Sequence, residues 1–272
     1  MIYNFGPQHP STHGVFRCIN ILNGEIIKYI ITEIGLLHRG TEKLIVINNN
    51  NINNISYFDR LDYISIITQE LLFLQTLEIL INNNIKKIIS LWRILLIECY
   101  RNLNHLLNIT THAIDIGLFS TMVWTFEERE KLIVFIEGLT GTRFHTAFLL
   151  LGRLRYNISL FWIDSFIYWL INFIIKVKEI HYFLSFNRLW RTRLYEIGII
   201  EKNICLFYGI TGLLSRSIKI GIDARFNGYE FYNKLSYTLY LSSNGDCLDR
   251  YLLRFNEIIE TNKINYLCLC LI

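Results

Sequence analysis

From Tyr57 onward, apolar residues recur three and four positions apart, and this helical period occupies most of the chain. It runs through Ile81 and resumes over Ile88–Ile116, Trp124–Leu139, Arg143–Leu151 and Ser159–Phe183, so long packed helices are expected there. Ahead of them, Val15–Leu22 and Ile26–Glu33 flank Gly24 with the mixed alternation of a hairpin. The Asn-rich run Asn48–Asn54 reads as a loop. Gly198, Gly209, Gly212, Gly221 and Gly228 punctuate a loop-rich stretch, and a last helix is expected from about Cys247 to the end. The fold class is therefore mainly α with a small N-terminal antiparallel β region.

Apolar residues make up 52% of the 272 and charged residues 18%, enough for a sizeable core and too apolar for long disorder. The net charge of +4 is mild and scattered, which argues against nucleic acid as a partner. The six cysteines form no CxxC pair, so neither a disulfide framework nor an internal iron–sulfur array is expected. Cys268-x-Cys270 reads as two small hydrophobes. The most apolar stretch, Ser165–Ile175, is too short to cross a bilayer and is bracketed by Asp164 and Lys176. A deeply buried helix is expected there. Richness in Ile, Asn, Tyr, Phe and Leu is what AT-biased codons give and points to an organellar genome. No signal peptide is expected. The apolar end Asn265–Ile272 lacks a glycine stop or a cationic last turn, so something should cover it.

Both prolines, Pro7 and Pro10, bracket Gln8-His9, and His13-Gly14 follows. Each proline fixes its own φ and restricts its predecessor, so this is a stiffened loop carrying two histidines, the usual setting of a site. His9 and His13 are four apart, but Pro10 stands where zinc helices carry an acidic residue, so no metal is expected. Glu98, Arg101, His105, Asn108, His112 and Asp115 follow spacings of a single helix face. That stripe is either a solvated face or a proton-handling surface, and two histidines ending at a carboxylate argue for the second. Tyr57-Phe58-Asp59-Arg60-Leu61-Asp62-Tyr63 is by itself most simply a capped helix start, although a tyrosine hydroxyl can donate to a quinone oxygen. Phe126–Lys131 reads as a solvated, self-paired helical face. Phosphate loops, the dinucleotide fingerprint and the nucleophile elbow are all absent from the sequence.

These same segments resemble a known family. Asn4–Val15, Gly35–Leu44, Tyr57–Ser65, Arg101–Gly117, Phe126–Leu132, Arg143–Ala147, Asn187–Ile200, Gly212–Arg225 and Gly245–Arg254 are similar to the quinone-site subunit family of respiratory complex I. This family is a metal-free relative of the nickel–iron hydrogenase large subunit. The resemblance implies a core subunit of the peripheral arm of the proton-pumping NADH:ubiquinone oxidoreductase, inactive as an isolated chain. It implies that His13 and Tyr63 contact the quinone head group, with Asp115 paired to His13. Arg60 and His145 are implied to lie by the terminal 4Fe-4S cluster, whose ligands belong to a neighbouring subunit, and Arg39 is implied as a further cofactor-binding residue. Ubiquinone is the implied substrate. The implied partners are the terminal-cluster subunit, other peripheral-arm subunits and membrane-arm subunits, on the matrix side of the mitochondrial inner membrane.

The implied organisation is 1–50 for the β-rich region with the quinone-site loop, 51–185 for a long-helix core, 186–250 for loops, and 251–272 for a terminal helix. That terminal helix is expected to pack on a separate polypeptide carrying the family's missing C-terminal part, which would cover Tyr266–Ile272. Departures are also visible. Leu150-Leu151-Gly152-Arg153 stands where the family has Arg-Pro-Gly-Gly, and proline is missing before Tyr57 and before Gly245, so those loops are expected to be remodelled. A hydrogenase large subunit would need two cysteine pairs as nickel ligands, which are absent. A degenerate structural scaffold that kept the fold is the remaining alternative, and the joint presence of His13, Tyr63 and Asp115 speaks against it.

Overall fold

The computed structural model describes residues 1–48 and 53–272, so residues 49–52 of the expected Asn-rich loop lie outside the described residues. The chain divides into two units, Met1–Tyr57 and Phe58–Ile272.

The first unit is built on a three-stranded antiparallel sheet of β1 (Ile2–Phe5), β2 (Arg17–Asn23) and β3 (Ile26–Glu33), in that order. β2 and β3 form the expected hairpin, with Gly24 at φ 64 supplying the left-handed turn residue. Arg17 lies opposite Glu33, and its Nη1 donates to Oε2 at 3.0 Å, which pins the register. A register shift falls between Ile21 and Leu22. The 3-10 turn Pro10–Thr12 lies between β1 and β2, and α1 (Thr41–Ile47) follows β3.

α2 (Ile55–Phe58) is a single turn. The second unit then contains α3 (Ile66–Ile81), α4 (Lys87–Ile116), α5 (Ser120–Thr140) and a short hairpin of β4 (Leu149–Leu150) with β5 (Arg153–Leu154). It continues with α6 (Leu160–Ser185), α7 (Arg188–Leu194), α8 (Lys202–Phe207), α9 (Gly212–Arg216) and α10 (Cys247–Leu271). The stretch expected to be loop-rich, 186–250, thus contains three short helices, two 3-10 turns and the start of α10. α4 is the central element, with α3, α5 and α10 packed on it. Its residues Ser90–Tyr100 are buried on every side, which is what a helix surrounded by neighbours requires. Each leucine or isoleucine so buried contributes roughly 1.5–3 kcal/mol.

α10 starts at Asp246, whose Oδ1 accepts the Asp249 amide at 2.8 Å while Oδ2 accepts the Glu196 amide at 3.0 Å. One carboxylate therefore caps the helix and ties down the preceding loop. Further along α10, Thr261 bonds Asn102 of α4, and Asn262 Nδ2 donates to the Leu170 carbonyl of α6 at 3.0 Å.

Three sequence expectations need correction. The helix expected to run from Tyr57 through Ile81 is interrupted, since residues 59–65 form turns and α3 begins only at Ile66. Arg143–Leu151 is not helical, because its amides are taken by carboxylates from elsewhere in the fold: Ala147 by Asp59, and Phe148 and Leu149 by Glu70. Ala147 accordingly sits at φ 41, outside helical space. The apolar stretch Ser165–Ile175 belongs to a longer helix, α6, and that helix is not deeply buried. Trp162, Phe166, Trp169, Phe173, Val177, Ile180 and Leu184 turn inward, with Trp162 stacked on Phe166 and Trp169 on Phe173. The opposite face, including Phe161, Tyr168 and Ile171, is apolar and exposed, because apolar residues occupy both faces rather than one stripe. By length and composition α6 could span a bilayer, with 33% of its most apolar window buried.

Candidate functional site

The proline-bracketed loop is held by Thr12, a buried residue whose Oγ1 donates to the carbonyls of Pro7 at 2.8 Å and His9 at 3.0 Å. His9 serves the loop itself. Its Nδ1 accepts the Ser11 amide at 3.3 Å as an N-cap, and its ring lies 4.1 Å from that of Phe5. His13 follows the turn at φ 53, a left-handed conformation uncommon for a residue with a Cβ, and is exposed within its unit. Gly6, at φ 80, is required for close approach. A Cβ there would run into the carbonyl oxygen of Phe16. Arg39 is exposed in the segment just ahead of Gly40, which starts α1.

His13 and Arg39 belong to the first unit, whereas Arg60, Tyr63, Asp115 and His145 belong to the second. Asp62, between Arg60 and Tyr63, accepts the amides of Ile64 and Ser65 at 3.0 and 3.3 Å and so sets the turn into α3. Tyr63 is 37% exposed. Partial burial, and then the Asp62 carboxylate, hold its phenol above the usual range, so it remains an O–H donor at neutral pH. His145 and Asp59, 86 positions apart in sequence, come together where His145 Nδ1 lies 3.3 Å from the Asp59 carbonyl.

The polar stripe on α4 divides. Its first half is a buried ionic network rather than a wet face. Glu98 is fully buried, accepts the Tyr232 hydroxyl at 2.6 Å and Arg101 Nε at 3.0 Å, and has Arg225 3.6 Å away. His105 Nε2 lies 2.9 Å from Glu257 of α10, which also takes Arg216 at 2.7 Å. Burial holds the His105 and His112 imidazoles below their usual range. For His112, Arg254 adds to the effect and Asp115 opposes it. Asp115 itself lies in the last turn of α4 and is exposed. Phe126–Lys131 is self-paired as expected, Lys131 meeting Glu127 at 2.8 Å and Glu128 at 2.7 Å, although Glu128 is buried.

Residues that sequence reasoning passed over include Glu257, Arg216 and Glu70, the buried partner of Asp59. Glu70 had a signal: it falls between Ile67 and Leu74 on the buried face of α3, where a carboxylate needs partners. Among the described residues no group of three or more His, Cys, Asp or Glu side chains is placed to hold a metal. The cysteines do not suit a cluster either. Cys99 and Cys268 are buried, and burial raises both thiols, Cys268 to about 12, against the thiolate form that ligation needs.

This mainly helical chain is similar to subunits of the respiratory-chain dehydrogenase class. Residues 115–271 match the family described as respiratory-chain NADH dehydrogenase, 49 Kd subunit. The chain is 41% identical over 267 residues to the NADH-ubiquinone oxidoreductase 49 kDa subunit of Acanthamoeba castellanii, covering 98% of this chain and 66% of that protein. It is 39% identical to the same-named protein of Reclinomonas americana, over 98% and 67%. It is 40% identical to that of Paramecium tetraurelia, over 96% and 66%. The chain belongs to the 49 kDa subunit family of respiratory-chain NADH dehydrogenase, and it spans about two thirds of the length of these relatives.

Proposed function

We propose that this chain is the peripheral-arm core subunit that forms the quinone-reduction site of a proton-translocating NADH:ubiquinone oxidoreductase. The terminal iron–sulfur cluster beside the site is held by a neighbouring subunit, and the peripheral arm lies on the matrix side of the mitochondrial inner membrane. The observation that carries the reading is the meeting of two distant motifs in one place. The Asp59 carbonyl receives His145, which puts Phe58-Asp59-Arg60 beside Arg143-Phe144-His145. Arg60 and His145 are the two residues of the second unit that the family resemblance assigns to the neighbourhood of the cluster. The likeness to NADH-ubiquinone oxidoreductase subunits over nearly the whole chain supports the same reading.

In this reading the chemistry follows from charge. Two electrons placed on a quinone in a low-dielectric cleft create an anion that must be neutralised by protons. Donors aimed at its oxygens stabilise that charge as it develops. Tyr63 is one donor, kept protonated by its surroundings. His13 is the other, presented by a turn whose Thr12 and His9 are committed to holding it. The family resemblance pairs Asp115 with His13, which would orient the imidazole. The family resemblance makes Arg39 a further cofactor-binding residue. Removing one donor costs on the order of a hundredfold in rate. Tyr63→Phe is therefore expected to lower quinone reductase turnover by about that factor, with the complex still assembled. Unchanged turnover in the assembled variant overturns the assignment.

A further inference from the structure

Beneath the segment that carries His145 lie two carboxyl groups, Asp59 and Glu70, with residue exposures of 1% and 0%. Glu70 Oε1 accepts the Thr146 hydroxyl at 2.6 Å, and Oε2 accepts the amides of Phe148 and Leu149, each at 2.9 Å. Asp59 Oδ2 accepts the Ala147 amide at 3.1 Å. Every residue from Thr146 to Leu149 is thus held by one of the two carboxyls, and His145 Nδ1 meets the Asp59 carbonyl. No N–H or hydroxyl reaches Asp59 Oδ1, although that atom is buried. The two carboxyl groups lie close enough for each to influence the ionisation of the other. Two carboxylates are both acceptors only, so a hydrogen bond between them requires a proton on one of them.

We propose that Asp59 and Glu70 hold a single proton between them and act together as positioning residues for His145, clamping residues 145–149. The inference rests on the reading of His145 as a site residue. Two buried like charges in contact cannot both ionise at modest cost, and a shared proton removes the conflict while leaving one negative charge. That remaining charge faces His145 and Arg60, both of which lower Asp59 against the burial that raises it. From α4, Tyr100 faces the pair. Its phenol is pushed up by burial and then by Glu70 and Asp59, so it stays neutral. Burial, followed by the Asp59 charge, pushes Glu70 up to about 8. The clamp also explains why Ala147 tolerates φ 41, since its amide is committed to Asp59. Loss of the shared proton above about pH 8 sets two carboxylates against each other and loosens the segment.

The test uses the assembled complex. Asp59→Asn and Glu70→Gln each keep an N–H donor between the pair and preserve one negative charge, but neither holds an exchangeable carboxyl proton. Infrared spectroscopy at neutral pH should show a protonated-carboxyl carbonyl band in the parent that is missing from both variants. Hydrogen exchange of segment 145–149, corrected for the intrinsic base-catalysed rate, should accelerate roughly tenfold or more above about pH 8 in the parent and stay flat in Asp59→Asn. A merely structural role for the carboxyls moves neither the band nor that pH break. The proposal is overturned by a band that persists in both variants, or by a parent segment whose protection shows no break. Both readouts are independent of quinone. A failed clamp therefore shows here, whereas a failed quinone-site reading shows in the Tyr63→Phe turnover.

Discussion

Glu257→Gln probes the network that joins α10 to α4. Glu257 is 4% exposed, with His105 Nε2 at 2.9 Å from Oε2 and Arg216 donating to Oε1 from Nε at 2.9 Å and from Nη2 at 2.7 Å. Burial works to raise its carboxyl, but the adjoining His105, then Arg216 and Arg101, outweigh it and bring it down from 4.5 to about 2. Each pH unit is worth about 1.4 kcal/mol, so the ionised network contributes about 3 kcal/mol. A carboxyl depressed in the folded state contributes fully above its unfolded value near 4.5 and loses that contribution as pH falls toward 2. Glutamine matches the shape of the protonated acid. The stability gap between parent and Glu257→Gln should therefore be about 3 kcal/mol at neutral pH and close toward zero at about pH 2. Native-state hydrogen exchange of the α10 amides in the assembled protein reads this gap directly. A gap below about 1 kcal/mol at neutral pH, or one that does not change with pH, refutes the reasoning.

Arg93 is fully buried, paired with Glu78 at 2.6 Å and Glu230 at 3.0 Å, and donates to the Leu150 carbonyl at 3.1 Å. Arg93→Met leaves two buried carboxylates without their cation and should cost about 3–5 kcal/mol, seen as a lowered thermal midpoint. An unchanged midpoint contradicts that role. Gly6→Ala puts a methyl against the Phe16 carbonyl at φ 80, which costs about 1–3 kcal/mol locally. It should lower quinone turnover by displacing the His13 loop while the complex still assembles. Turnover equal to the parent's contradicts that account.

Much of the architecture was legible in sequence because its signals are local. The 3.6-residue period placed α3, α4, α5 and α6, and alternation around Gly24 placed the β2–β3 hairpin. What escaped depends on partners distant in sequence. Arg143–Leu151 has a helical period, yet Glu70, 78 and 79 positions before Phe148 and Leu149, takes their amides, and no local pattern announces that. The α4 stripe was visible as one face. It divides into a buried network, in which Glu98 and His105 meet Tyr232 and Glu257 of α10, and an exposed Asp115 in the last turn. Likewise, spacing could not separate His9 from His13. The Ser11 amide on His9 Nδ1 shows that His9 supports the loop.

The central claim is that this chain forms the quinone-reduction site, and photoaffinity labelling of the assembled complex with an azido-ubiquinone tests it most directly. The account predicts labelled peptides of this chain containing His13 or Tyr63, with labelling suppressed by excess ubiquinone. Competable label found only on other subunits, with none on these two segments, would contradict it.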